Sequence, residues 1–255
     1  QYDKSDYQVL YKNDVRDYSN VQHNVHALYN YTFNGKHTLT VGADYLRDYL
    51  MSYQFTDNAD HTMHTADAFG QFDWNPTERL NVIAGLRFDY FSDSNVRHLS
   101  PHLGMMYKIG SCSLRGSYSQ GFRSPTLKEM YMVFNMANMM MIYGNPDLKS
   151  ETSHNFSVSA EYTKNRYNFS VTGYYNLVHN RINTVYSEDP KGQIYTNTDK
   201  MDIAGIDANI SAKYPCGLGY RLSYTYIHEF MRDGQKKFTD TRPHTATVRI
   251  DWGKT

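Results

Sequence analysis

Long hydrophobic runs are absent from the 255 residues of this chain. No stretch approaches the roughly 18 consecutive apolar residues that indicate a transmembrane helix, and the mean hydropathy is −0.68. A transmembrane β-strand needs an apolar residue only at every second position. The absence therefore excludes membrane helices and leaves a membrane barrel open.

The chain has no net charge and only two cysteines. The 26 basic and 26 acidic residues cancel, so no nucleic-acid partner is expected. Cys112 and Cys216 fall in turns that the strand count places four strands apart, roughly 19 Å at about 4.8 Å per strand. A disulfide needs Cα atoms within about 7 Å, so we expect two free thiols. No CxxC or zinc spacing is present.

Catalytic patterns are missing as well. No nucleophile–base arrangement, phosphate loop or paired-carboxylate spacing rises above chance. We expect neither an enzyme nor a bound cofactor.

Tyrosine, in contrast, is abundant. The chain has 24 Tyr and 12 Phe against 2 Trp. Tyrosine at this level suits membrane strands whose amphipathic rings lie at the water boundary. A tyrosine-rich soluble β-sandwich fits the composition equally well.

Strict alternation of apolar and polar residues runs through most of the chain and predicts strands. Between Leu80 and Phe91, for example, every second residue is apolar and Arg87 and Asp89 lie among the others. A sandwich core does not accept these charges, whereas a wet barrel lumen does. The alternation therefore favours a membrane barrel.

Connection lengths alternate along the 11, or 12, predicted strands. Tight turns are predicted at 34–36, 75–79, 110–112, 164–166 and 215–219, and longer loops at 56–62, 92–100, 123–151, 187–195 and 233–243. Residues 1–20 are predicted to be a loop or the outer end of a strand, and the strand at 167–178 to continue through Ile182 and Val185. Short turns at one rim and long loops at the other are typical of outer-membrane barrels.

Two boxes in the longest connection resemble a known family. The segments Phe122-Arg-Ser-Pro125 and Asn145-Pro-Asp-Leu148 are similar to the barrel signature of TonB-dependent outer-membrane receptors, most closely those for haem, cobalamin and ferric siderophores. The resemblance implies an all-β, transmembrane, antiparallel up-and-down β-barrel of 22 strands with an amino-terminal plug.

Only 11–12 of those strands and no plug domain fit into 255 residues. We therefore expect residues 1–255 to be part of the barrel, with 123–151 as a long extracellular loop. The chain carries no signal peptide and no terminal aromatic residue, so we expect a piece of a longer protein.

The resemblance also implies a function and partners. It implies active transport of a metal-containing nutrient across the bacterial outer membrane, in contact with lipid and lipopolysaccharide and with the TonB complex through the plug. A surface lipoprotein is a further possible partner. Haem leads slightly because of the boxes, although no histidine lies between Phe122 and Leu148. A passive porin or adhesin barrel is the alternative from another class.

Half of the 12 methionines cluster between the two boxes: Met130, Met132, Met136, Met139, Met140 and Met141. They either pack a folded loop, or form an adaptable surface for a flat ligand, or supply a thioether to iron. The candidate ligand-binding residues are Arg123, Tyr131, Met136, Met139, Met140, Met141 and Tyr143. A metal site is undetermined: the pairs His61–His64 and His98–His102 are either metal ligands or rim side chains.

Overall fold

The computed structural model describes residues 18–55, 60–92, 96–136, 140–198, 201–230 and 242–253. Predicted loop residues 56–59, 93–95, 137–139 and 233–241, and residues 1–17, lie outside this part of the chain. No helix within these ranges is long and apolar enough to cross a membrane.

Eleven strands form one antiparallel sheet, in which each strand pairs with its neighbours in chain order. They are β1 (Tyr18–Phe33), β2 (His37–Ser52), β3 (Asp60–Trp74), β4 (Leu80–Phe91), β5 (Val96–Ile109), β6 (Cys112–Arg123), β9 (Glu151–Lys164), β10 (Tyr167–His179), β13 (Met201–Lys213), β14 (Leu218–Phe230) and β15 (His244–Trp252). The predicted up-and-down topology is confirmed. Of the two predicted strand counts, 11 and 12, the large sheet has 11.

Two connections leave this sheet and build a second one. The first contains helix α1 (Leu127–Tyr131), β7 (Val133–Met136) and β8 (Met140–Tyr143); the second contains β11 (Arg181–Glu188) and β12 (Lys191–Thr198). The four strands assemble in the order β11-β12-β8-β7, with β12 and β8 parallel. We call this the small sheet.

Three sequence predictions are wrong, two of them at the small sheet. The strand at 167–178 does not continue through Ile182, because Asn180 takes a positive φ of 52° and turns the chain into β11. The predicted loop 187–195 is a hairpin in which Glu188 pairs with Lys191. Residues 60–62 and 96–100, predicted as loop, extend β3 and β5.

Tight turns gather at one end of the large sheet, which we call the turn end. At the first of them Asn34 and Gly35 have positive φ values of 49° and 63°, as a primed hairpin turn requires. The described parts of the long connections, including the small sheet, lie at the opposite end, which we call the loop end. The predicted alternation of short and long connections is confirmed.

The two faces of the large sheet differ as the alternation predicts. Apolar side chains project from one face and remain exposed, among them Val158 at 70% and Val248 at 67%. The other face is polar and cross-linked between strands, for instance by Ser117 and Ser157 at 2.7 Å. An apolar exterior around a polar interior is the arrangement of a membrane barrel.

A compact core lies at the loop end, where the long connections pack on β2 and β3. Leu50 and Leu127 are each 1% exposed and pack with Phe55, Met63 and Met130. A bridge between Phe55 and Met132 adds backbone contact between the two segments. This core holds α1 against the wall of the large sheet.

Candidate functional site

The first box, Phe122–Pro125, contains the last residues of β6 and leads into α1. Proline at 125 cannot donate to a ladder, and Thr126 caps the helix: its hydroxyl accepts from the Glu129 amide at 3.2 Å, and the Glu129 carboxylate accepts from the Thr126 amide at 2.9 Å. This reciprocal capping box stabilises a helix of five residues.

Arg123 binds the helix to two other elements. Its guanidinium donates to both Glu129 oxygens at 2.9 and 3.0 Å and lies 3.5 Å from Glu151 at the start of β9. Glu151 in turn accepts from the Ile182 amide of β11 at 3.1 Å. The predicted ligand-binding arginine is thus engaged in joining α1, β9 and β11.

The second box fastens the small sheet. Asn145 donates through its backbone amide to the Glu129 carbonyl at 2.9 Å and through its side chain to the Tyr195 carbonyl of β12 at 3.0 Å. The side chain of Leu148 is buried. Both boxes therefore contact Glu129, Arg123 through its guanidinium and Asn145 through its backbone amide.

The methionine cluster divides between core and small sheet. Met130 is 4% exposed within the loop-end core, and Met132 packs against that core. Met140 and Met141 are adjacent in β8, so their side chains project from opposite faces. Met136 lies in β7 opposite Met140, and Met139 lies outside the described residues.

Tyr131 and Tyr143 are likewise separated. Tyr131 ends α1 and stacks on His61 with ring centroids 3.8 Å apart. Tyr143 lies in the middle of the small sheet, in register with Val133 and Ile194. Of the candidate residues in the described part of the chain, Tyr131 thus lies at the loop-end core and Tyr143 in the small sheet.

The exposed face of the small sheet carries residues that sequence reasoning did not single out. One residue from each strand meets there in register: Phe134, Ile142, Gln193 and Tyr186. Phe134 is 39% and Tyr186 57% exposed. We call these four residues the aromatic row.

A signal for this sheet exists in the sequence. The segments 181–188 and 191–198 both contain β-branched and aromatic residues and are separated by Asp189-Pro190, a hairpin pattern. The partner strand β8 is parallel and distant in sequence, and no local pattern indicates it.

The metal-ligand candidates from the sequence are the pairs His61–His64 and His98–His102. In the described part of the chain, no group of three or more His, Cys, Asp or Glu side chains is placed to hold a metal ion. The ring of His98 stacks on Phe122 at 4.2 Å, and His64 hydrogen-bonds Tyr45 at 2.7 Å.

Ion pairs line the polar face of the large sheet. Arg87 contacts Asp67 at 2.8 Å and Asp89 at 2.9 Å, and Arg115 contacts Glu161 at 2.8 Å. Arg87 and Asp89, which the alternation places on one face, are thus paired with each other there, and the cysteines at 112 and 216 are free.

Comparison with known families agrees with this geometry. The model "TonB dependent receptor-like, beta-barrel" matches residues 1–255. The chain belongs to the TonB-dependent receptor family and forms part of the β-barrel that these receptors place in the bacterial outer membrane.

Individual relatives extend the comparison. An iron-regulated outer membrane virulence protein of Vibrio cholerae is 25% identical over 87% of this chain and 37% of its own length. The vitamin B12 transporter BtuB of Photobacterium profundum is 31% identical over 49% of this chain and 20% of its own. This chain thus spans little more than a third of the longer match.

The siderophore receptor PirA from Pseudomonas aeruginosa has the same fold. Its crystal structure superposes with a TM-score of 0.77 at 18% identity, covering 92% of this chain and 43% of that one. The expectation of haem in particular gains no support from these relatives.

Proposed function

We propose that this chain is the loop-bearing part of a receptor that imports an iron chelate, with the loop end facing the cell exterior. The observation that supports this proposal is the small sheet, which two separate connections build at one end of the barrel wall. A sheet clamped to the wall by Arg123, Asn145 and Glu151 presents the aromatic row in a defined position.

The chemistry of the aromatic row fits a large, flat-sided ligand. Phe134 and Tyr186 stand at its two ends, on strands separated by β8 and β12, which is roughly 14 Å at about 4.8 Å per strand. Aromatic faces bind planar groups, and Gln193 between them adds a donor and an acceptor. This spacing suits a chelate larger than a simple metabolite.

Iron is favoured because the relative matched over most of the chain is an iron-regulated outer-membrane protein. A corrinoid is the second candidate, since the vitamin B12 transporter is 31% identical over about half of the chain. Energy coupling through TonB and a plug is part of the proposal, as the family implies.

The test is a titration of the full-length receptor, purified in detergent, with a ferric siderophore, with cobalamin and with haem. We expect the siderophore to bind and Tyr186→Ala to weaken it about three- to tenfold, because an aromatic contact contributes about 0.5–1.5 kcal/mol. Val185→Ala, on the same strand but the opposite face, is the matched control and retains wild-type affinity.

Each ligand leads to a different conclusion about the cargo. If only cobalamin binds, the proposed cargo is a corrinoid and not an iron chelate. If only haem binds, the cargo is haem, as the sequence motifs suggested. Equal affinity of the Tyr186→Ala variant and wild type removes the aromatic row from the capture surface.

A further inference from the structure

A hollow of about 480 Å³ lies on the polar face of the large sheet, at the turn end of β13, β14 and β15. Its charged lining residues are Arg166, Lys213, Arg221, Arg249 and Asp251. Four of them are basic and one is acidic, so positive charge is in excess. We call these five residues, together with Gly219, the basic hollow.

The strand register places two arginines of the basic hollow side by side. Arg221 of β14 lies directly opposite Arg249 of β15, and its neighbour on the other side is Ser211 of β13. Residues directly opposite each other have Cβ atoms about 4.5–5.5 Å apart, and like charges there repel. An anion between the two guanidinium groups would relieve this repulsion.

Arg221 differs from other arginines of the polar face. Arg87 contacts Asp67 at 2.8 Å, and Arg115 contacts Glu161 at 2.8 Å. Arg221 forms no ion pair with any residue in the described part of the chain, and its side chain is exposed. Its positive charge is therefore available to a ligand.

The pairing of Arg249 leaves donors for a ligand as well. Asp251 accepts from Nε of Arg249 with both carboxylate oxygens, at 2.9 and 3.0 Å. The contact uses one nitrogen of the guanidinium, so the two terminal nitrogens remain for another acceptor. Guanidinium groups bind oxyanions with paired, charge-assisted hydrogen bonds.

A glycine provides the space between these charges. Gly219 lies two positions before Arg221 on the same face, and its register neighbours are Lys213 and Asp251. A Cβ atom added there would lie 3.8 Å from the Ala212 carbonyl oxygen and 3.9 Å from that of Asp251, which is ordinary contact. A larger side chain therefore fits the backbone and fills the hollow.

Arg166 is held beside the hollow by the neighbouring turn. Its carbonyl accepts from the Lys213 amide at 3.3 Å, which joins the turn between β9 and β10 to the end of β13. Its guanidinium lies 5.0 Å from the ring centroid of Tyr214, a cation–π contact. The Arg166 side chain is thereby placed next to the ammonium group of Lys213.

The polar face of the first strands has the opposite charge. Asp44, Asp67 and Asp89 lie in one register row on β2, β3 and β4, and Arg87 contacts two of them. Carboxylates in excess repel an anion. Charge along the polar face therefore favours an anion at the basic hollow over the β2–β4 side.

We propose that the basic hollow binds a polyvalent oxyanion of carboxylate or phosphate chemistry. Its role in transport rests on the proposed function: with the loop end outside, cargo leaves at the turn end, so a chelate with anionic groups meets the hollow on its way out. A free polyvalent anion binds by the same chemistry, and the experiment below separates the two sources.

The test uses pyrophosphate as the probe. Full-length receptor in detergent is titrated by calorimetry at low ionic strength, with chloride as the monovalent comparison. We expect pyrophosphate to bind, and to bind more weakly as sodium chloride is added, because salt screens exposed charges. Arg221→Gln is expected to raise the Kd about tenfold through loss of charge-assisted hydrogen bonds.

Two further variants assign binding to the hollow. Gly219→Leu keeps every charge and fills the space, so it should raise the Kd about tenfold as well; it also serves as the independent variant should Arg221→Gln not fold. Lys108→Gln is the matched control: Lys108 is an exposed lysine at the turn end, opposite Ser113 of β6. It lies outside the hollow, so its variant retains wild-type affinity.

Thermal stability separates ligand binding from a structural role of Arg221. In low-salt buffer without pyrophosphate, Arg221→Gln should melt at or above the wild-type temperature, because the repulsion from Arg249 is gone. Pyrophosphate should raise the melting temperature of wild type more than that of the variant. A lower melting temperature of the variant in both buffers, with an unchanged shift on adding pyrophosphate, overturns the proposal.

Competition identifies the source of the oxyanion. The pyrophosphate titration is repeated with an anionic ferric tris-catecholate and with a neutral ferric tris-hydroxamate. If only the catecholate raises the apparent Kd, the hollow takes anionic cargo; if neither does, it takes a free anion. No pyrophosphate binding by wild type, or equal Kd values for Arg221→Gln and Lys108→Gln, overturns the site.

The proposed function is tested independently of this site. Tyr186→Ala at the loop end is expected to keep wild-type affinity for pyrophosphate, and Arg221→Gln to keep siderophore capture at the aromatic row. Loss of one activity without the other therefore shows which of the two proposals fails.

Discussion

Gly144 occupies a point where two backbone segments touch. A Cβ atom added there would lie 2.7 Å from the Met130 carbonyl oxygen and 2.9 Å from the Tyr131 nitrogen. Both are backbone atoms, so neither can rotate away. The Gly144 amide also donates to the Met132 carbonyl at 2.7 Å, and this contact keeps β8 beside the helix.

Gly144→Ala is expected to separate β8 from α1. Overpacking of this kind costs about 1–3 kcal/mol, so amide exchange in 127–148 should accelerate about fivefold or more. Hydrogen exchange of the full-length receptor measures it. Gly116→Ala is the control, because a Cβ there meets no atom within 4 Å; equal protection in both variants would contradict the packing argument.

Among the elements, the parallel pair of β8 and β12 depends on an adjacent asparagine. Asn197 accepts from the Lys149 amide at 2.7 Å and donates to the carbonyls of Lys149 and Asn180 at 2.7 and 2.8 Å. It thus joins the end of one long connection to the start of the other. The small sheet exists because these two connections are held together.

Asn197→Ala is expected to loosen the small sheet while leaving the large sheet intact. Loss of these hydrogen bonds costs roughly 1–3 kcal/mol, which predicts faster proteolysis within 133–143 and 181–198. Asn183→Ala on β11 is the matched control, since its described side-chain hydrogen bond reaches only the neighbouring Thr184. Identical cleavage rates for the two variants would show that the side chain of Asn197 is dispensable.

At the scale of the whole molecule, the barrel wall is apolar outside and charged inside. The side chains of Asp67 and Asp89 are 4% and 9% exposed, and both contact Arg87. Two carboxylates this close need a shared cation. The guanidinium therefore stabilises the lumenal side of β3 and β4.

Arg87→Met is expected to lower the stability of the wall. Breaking a buried pair costs several kcal/mol; because Arg87 itself is 44% exposed, solvent screening reduces the expected loss to about 1–3 kcal/mol. Denaturant unfolding of the receptor measures the change. Arg249→Met is the control: its pair with Asp251 is 68% and 59% exposed, so a loss as large there would argue against the role of burial.

Family and fold class could be predicted because their signals are local. Alternation along a strand determines which side chains share a face, and Asn34-Gly35 determines its own hairpin. The pairing of Arg87 with Asp89 follows from two positions on one strand. The boxes at Phe122–Pro125 and Asn145–Leu148 indicate the family directly from their letters.

What those boxes do was decided by the tertiary structure. Arg123 contacts Glu151, and Asn145 contacts Tyr195, partners that lie far apart in sequence and come together only when the strands pair. For the same reason the Met segment could not be assigned from composition: the core takes Met130, and the pleat separates Met140 from Met141. The sequence by itself determined the barrel wall and its two faces, and long-range packing determined the loop structure that stands on it.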